Sequence, residues 1–148
     1  MANIVVSPHY LSTNAGIDIL NKGGNAVDAA IGTNIVQGVV APETCGIGGD
    51  LFSLIWISGD NTPYCLDSSG YAGSNVDMSQ LYSQESIPLD HPMSVTVPGA
   101  VKGWFDMHEK FGKLSIDEIF RPAIDICYRG FEVSTELHHS LSLHKDCL

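Results

Sequence analysis

Lys22-Gly23-Gly24-Asn25-Ala26-Val27-Asp28-Ala29-Ala30 joins two helices with almost no connection between them. Lys22 gives a basic last turn, and a glycine able to take positive φ follows, which together end a helix. Asn25 then stands as an N-cap, its side-chain oxygen free to accept orphan N–H groups. Upstream, Leu11, Ala15 and Ile19 fall four apart with Gly16 and Leu20 beside them, which predicts a first helix over about Ser7 to Asn21. Downstream, Ala26, Val27, Ala29, Ala30, Ile31, Ile35, Val36, Val39 and Val40 leave little polar surface. That second helix, running from Asn25 to Val40 and stopped by Pro42, is expected to be buried on several sides.

Further out, Cys45-Gly46-Ile47-Gly48-Gly49-Asp50 is a tight glycine loop, and Leu51 to Ile57 reads as a largely buried strand. Ser58-Gly59-Asp60-Asn61 turns the chain, and Pro63 to Asp67 returns it as a hairpin. Periodicity fades from Ser68 to Pro92, apart from a short helical turn near Met78–Tyr82. Ser94-Val95-Thr96-Val97 alternates like a third short strand. A helix is expected from about Ala100 to Lys110, with Val101, Trp104, Phe105 and His108 on one face. Ser115-Ile116-Asp117-Glu118 has the capping-box form. Its helix carries Ile119, Phe120, Ala123, Ile126 and Cys127 inward and ends at Arg129-Gly130. Ser134 starts a last helix that is expected to run through Leu148. About three short strands make a thin sheet for five apolar helix faces. The chain is therefore expected to be α+β and the front part of a longer polypeptide, with residues 1–148 forming an incomplete domain.

Lys and Arg total 7 against 17 Asp and Glu, a formal net charge of -10. Such a chain repels phosphate backbones and anionic lipid, so neither nucleic acid nor membrane is an expected partner. With 44% hydrophobic and 16% charged residues, it is too apolar for a disordered chain. The start, Met1 to Val6, has no basic region followed by an apolar core, and no apolar run approaches the ~20 residues of a membrane span. A cytoplasmic location is expected. Cys45, Cys65, Cys127 and Cys147 are widely spaced without a C-x-x-C, which predicts reduced thiols mostly packed as small apolar residues.

The glycine loop follows a helix and precedes a strand, the reverse of a dinucleotide fingerprint. It also lacks the Lys and hydroxyl of a P-loop, since Asp50 and Leu51 follow it. Two readings stay open for Gly48 and Gly49: a close backbone passage, or the lining of an active site. His138, His139 and His144 lie with Cys147 on the last helix, but His139 and His144 diverge, so a solvated face is expected there and no metal. No cofactor is expected. His9 and His91 lie near loops without a visible partner. Asp67, Ser68, Ser69 and Asp77 could pair, yet nothing in the sequence aims them at one another. There is no G-x-S-x-G elbow and no H-E-x-x-H.

The motifs, in their order, resemble the N-terminal part of the large subunit of the gamma-glutamyltransferase family, also called gamma-glutamyltranspeptidase or glutathione hydrolase. The resembling residues are Val5-Val6-Ser7-Pro8-His9, Ala15-Gly16 and Ile19-Leu20, then Lys22 to Ala30, the most specific run. Gly46-Ile47-Gly48-Gly49-Asp50 follows at the family's spacing. Val97 to Gly103, Phe111-Gly112, Pro122-Ala123-Ile124 and Gly130 to Ser134 complete the series.

The resemblance implies an N-terminal-nucleophile hydrolase with a four-layer αββα sandwich, of which this chain is the N-terminal fragment. In that family a precursor cuts itself into two subunits, and the new N-terminal Thr of the small subunit attacks a γ-glutamyl amide such as glutathione. The freed α-amine serves as that Thr's base. The acyl group then passes to water or to an acceptor amine. None of Thr13, Thr33, Thr44, Thr62, Thr96 or Thr135 sits in the family's cleavage motif, so no catalytic residue is expected in this chain and the chain alone is expected to be inactive. Its expected partners are the remainder of the same precursor and a small γ-glutamyl substrate. The family's large subunit usually gives an arginine just after the second strand to clamp the substrate α-carboxylate. That position falls on Ser69 or Tyr71 here, and neither is basic. The alternatives are an acylase for other amide side chains and a non-catalytic scaffold of the same fold.

Overall fold

The first helix, α1, runs Tyr10–Asn21 and starts later than its apolar spacing predicts. Pro8 precedes it, and His9 is its N-cap, with Nδ1 accepting from Leu11 N at 3.2 Å. That bond leaves the ring proton on Nε2. At the other end Gly23 takes φ +96°. Gly24 N donates to Ile19 O and Gly23 N to Leu20 O, both at 3.0 Å, which is the Schellman closure. The computed structural model describes residues 3–77, 79, 86–88 and 91–145.

The second helix, α2 (Ala26–Val40), opens with a full capping box. Asn25 Oδ1 accepts from Val27 N at 2.9 Å and Asp28 N at 3.0 Å, while Asp28 Oδ2 accepts from Asn25 N at 2.9 Å. α1 crosses α2 closely because Gly32 has no side chain: a Cβ there would run into Ile19 Cδ1. Ser12 Oγ donates to Gln37 Oε1 at 2.8 Å between the two helices, so this buried polar pair is satisfied. As expected, α2 is covered on several sides, with Val27, Ala29, Ile31, Ile35, Val36 and Val40 all buried. It also buries Asp28, Thr33 and Gln37, which its apolar pattern did not announce.

Three further helices follow: α3 (Ala100–Phe111), α4 (Ile116–Arg129) and α5 (Thr135–Leu143). By packing, the chain divides into two units: Met1–Gly46 with Trp104–Leu148, and Ile47–Gly103. In the first unit Trp104 is buried, and its Nε1 donates to Asn34 Oδ1 of α2 at 2.8 Å. Its ring meets Phe120 of α4 edge-on at 6.0 Å. α4 opens on the expected capping box, where Ser115's hydroxyl and backbone N–H hold the Glu118 carboxyl below the usual carboxylate range. Ile119 and Ala123 are its fully covered positions.

Asp28 ties this unit together. Its carboxylate is completely buried. Besides Asn25 N it accepts from Lys113 N at 2.9 and 3.2 Å and from Leu114 N at 3.2 Å. Asn25 Nδ2 reaches the same connection, donating to Phe111 O at 2.6 Å. The turn before α2 is thereby fastened to the link between α3 and α4.

Several expectations need correction. The covered stripe of α3 is Ala100, Gly103, Trp104 and Met107, whereas Val101 and Phe105 are exposed. The face is rotated because Trp104 follows its indole bond to Asn34. Cys127 is exposed at the end of α4, Cys65 is exposed and Cys45 half-buried, so the described thiols are free but are not packed core residues. α5 ends at Leu143 with His144 as its cap, rather than running through Leu148. The helical turn expected near Met78–Tyr82 lies almost wholly outside the described residues.

In the second unit β1 (Leu51–Ile55) and β2 (Tyr64–Ser68) form an antiparallel pair, with Leu51 opposite Ser68 and Ile55 opposite Tyr64. β1 is not largely buried as expected. Leu51, Ser53 and Ile55 are half-covered, while Phe52 and Leu54 on the other face are 68% and 74% exposed. An apolar run cannot say whether both faces find a neighbour. The strand expected at Ser94–Val97 is also absent from the sheet. Pro92–Ser94 is a 3₁₀ turn capped by His91, whose Nδ1 accepts from Met93 N at 3.1 Å. Pro92 and Pro98 bracket the segment and remove ladder donors at both ends. Among the described residues no helix is long and apolar enough to cross a membrane.

Replacing Asp28 with Ala removes a buried carboxylate and leaves the part-buried N–H groups of Asn25, Lys113 and Leu114 without that acceptor. At about 0.5–1.5 kcal/mol for each net hydrogen bond lost, Asp28→Ala should lower unfolding stability by about 2 kcal/mol or more, read from the urea midpoint. A loss below about 1 kcal/mol would show that the carboxylate is not holding the connection.

Candidate functional site

Within the second unit three stretches converge: the end of the glycine loop, the exit of β2 and the approach to α3. Gly49 O accepts from Gly99 N at 3.0 Å and Ala100 N at 2.9 Å. Ser68 Oγ donates to Gly99 O at 2.8 Å. Asp50 Oδ1 accepts from Gly70 N at 3.0 Å and from Thr96 Oγ1 at 3.3 Å. Tyr71 O accepts from Val97 N at 3.0 Å. The backbones pass so closely that a Cβ on Gly70 would overlap the Val97 carbonyl. Asp67 Oδ1 adds an Asx-type bond from Ser69 N at 3.0 Å.

The main chain from Ser68 to Tyr71 is thus fixed from both sides, while its side chains stay open. Ser69 is exposed and Tyr71 is 88% exposed. No Lys or Arg occurs between Lys22 and Lys102. The turn therefore offers hydroxyls and the carboxylates of Asp50 and Asp67, and no cation of its own.

The two glycines of the loop separate in role. Gly49 supplies the carbonyl that receives the start of α3. A Cβ on Gly48 would meet nothing within 4 Å, and Gly48 is not among the described glycines of positive φ. The expected close backbone passage is found at Gly70 and not at Gly48. Asp50 and Thr96 were not singled out as partners, because the bonds that assemble them span 20 and 46 residues, and Gly99 was not, because its bond from Ser68 spans 31. The one local signal was an acidic residue closing a glycine loop.

The histidines do other work. His9 and His91 are the caps described above. His108 bonds Leu114 O through Nε2 at 2.7 Å. His138 and His139 are exposed on α5, and among the described residues no group of three His, Cys, Asp or Glu could hold a metal ion. Of the described threonines outside the turn, Thr13 bonds Ser7 at 2.7 Å, Thr44 donates to Ala41 O at 2.8 Å, Thr33 is buried without an Oγ1 partner, and Thr62 and Thr135 are exposed.

Comparison with solved proteins places this architecture among the N-terminal-nucleophile hydrolases, as part of their αββα sandwich. The solved gamma-glutamyltranspeptidase of Pseudomonas nitroreducens is 30% identical, with a TM-score of 0.86 over 99% of this chain and 46% of that one. The gamma-glutamyltranspeptidase family model matches residues 12–148, and the chain belongs to that family. The glutathione hydrolase-like YwrD proenzyme of Bacillus subtilis is 39% identical over 90% of this chain and 26% of its own length. The acylase ACY 1 proenzyme of a Pseudomonas species is 32% identical over 94% of this chain and 27% of its own. The chain spans about a quarter of the length of these curated relatives.

The contrast between the glycines is directly measurable. Gly48→Ala should leave the melting curve within about 0.5 kcal/mol of the original, as an unobstructed surface change does. Gly70→Ala should destabilise by about 1–3 kcal/mol, because Val97 has to move. Equal effects at the two positions would contradict the described crossing.

Proposed function

We propose that this chain is the N-terminal part of the large subunit of a gamma-glutamyltransferase-like enzyme. The complete enzyme cleaves γ-glutamyl amides of the glutathione type and passes the acyl group to water or an amine. The likeness to the glutathione hydrolase-like proenzyme carries this reading. The nucleophilic Thr and its α-amine belong to the remainder of the precursor. The chain's own contribution is the Ser69–Tyr71 turn, held still by Asp50 and Val97 and open at its side chains, with Gly48 and Gly49 in the loop beside it.

One observation favours an acylase reading within the same chemistry. The turn has no base where an arginine would grip an α-carboxylate, and Ser69 and Tyr71 offer only neutral hydroxyls. An acyl group without a free α-carboxylate, such as 4-aminobutyryl, suits that surface better than γ-glutamyl does.

The test uses the complete polypeptide with Tyr71→Arg and, separately, Ser69→Arg. Charge-assisted hydrogen bonds contribute roughly 1.5–3 kcal/mol when shielded. At 1.4 kcal/mol per decade, one of the two should raise the ratio of kcat/KM for γ-glutamyl over 4-aminobutyryl anilide by about ten-fold or more. If neither substitution moves the ratio, carboxylate recognition lies elsewhere.

A further inference from the structure

We infer that Asp50 is the positioning residue of the substrate-reading turn, an inference that rests on the function proposed above. Asp50 closes the glycine loop, and a single oxygen of its carboxylate, Oδ1, accepts from Gly70 N at 3.0 Å and from Thr96 Oγ1 at 3.3 Å. Gly70 lies between Ser69 and Tyr71, the two side chains assigned to substrate. Thr96 adjoins Val97, whose N–H holds Tyr71 O at 3.0 Å. Asp50 therefore grips the turn directly through Gly70 and indirectly through the strap that holds Tyr71. Charged acceptors give the stronger and shorter class of hydrogen bond. Gly70 also has to lie flat against Val97, since a Cβ there would overlap its carbonyl. The result is a bonded backbone beneath two exposed side chains, the arrangement a recognition surface needs if binding is not to cost the ordering of its own main chain.

The role is separable from plain stability. Loss of a group that only orders the binding surface raises KM and leaves kcat nearly unchanged. Asn keeps the accepting Oδ1 and removes the charge, so it retains both hydrogen bonds; Ala retains neither.

The experiment measures kcat, KM and melting temperature for the complete polypeptide and its Asp50→Ala, Asp50→Asn and Thr96→Val variants, with γ-glutamyl and 4-aminobutyryl anilides. Asp50→Ala should raise KM about ten-fold with kcat within about three-fold, the scale of a modest misplacement. Asp50→Asn should bring KM back to within about two-fold of the original, because the accepted bonds persist. Should Asp50→Ala fail to fold, Thr96→Val still cuts one of the two bonds and should raise KM by about three-fold. Turnover by the original protein with KM unmoved in Asp50→Ala and Thr96→Val would overturn the inference and leave the proposed function standing. A parallel fall of kcat and melting temperature that Asn does not restore would overturn it as well, since Asp50 would then be structural only. No turnover of either anilide by the original protein would overturn the proposed function and this positioning role together.

Discussion

The buried carboxylate of Asp28 is the constraint on which the helical unit depends. That unit is built from two stretches of chain, residues 1–46 and 104–148, with the second unit inserted between them. Apolar burial draws the helices together, but it is non-directional and sets no register. Direction comes from Asp28, which accepts from Asn25 N in its own cap and from Lys113 N and Leu114 N across the unit. Asn25 Nδ2 adds a bond to Phe111 O. A carboxylate left buried without these donors would be strongly unfavourable, so the cap and the α3–α4 link have essentially one way to meet.

Asp50 repeats the device on a smaller scale in the second unit. There a carboxylate at the end of a loop gathers one backbone N–H and one hydroxyl from segments with no sheet pairing of their own. The difference is exposure. Asp28 is sealed and serves the fold, whereas Asp50 lies at the surface beneath side chains that face outward. The same chemistry thus acts as a rivet in one place and as a mount in the other.

What the sequence made legible follows the range of each interaction. The Asn25 cap, the Ser115 capping box and the C-terminal ends of α1, α2 and α4 are settled within a few residues, and they stand where the pattern put them. The hairpin was legible too, because its turn is local. Asp28's second set of donors lies 85 residues away, so the helix pattern showed only a polar residue among alanines. The covered faces of α3 and β1 were misread because a face is decided by its neighbour: Trp104 turns towards Asn34, and Phe52 and Leu54 stay largely exposed. At the candidate site the position of Ser69 and Tyr71 came from resemblance, whereas the Asp50–Gly70–Thr96 cluster needed coordinates.

The distance between Asp28 and its partners also has a meaning in time. During synthesis α1 and α2 are complete long before Lys113 exists. At about 5–20 residues per second, the 85 residues in between take roughly 4–17 s to make. Throughout that interval the Asp28 carboxylate has only its own cap for company, and water is its better partner. The bonds around Asp50 span at most 46 residues and close within the inserted unit, which is finished by Gly103. The nascent chain can therefore settle its middle before its ends, and the early helix pair stays unlocked until the late helices emerge to claim it.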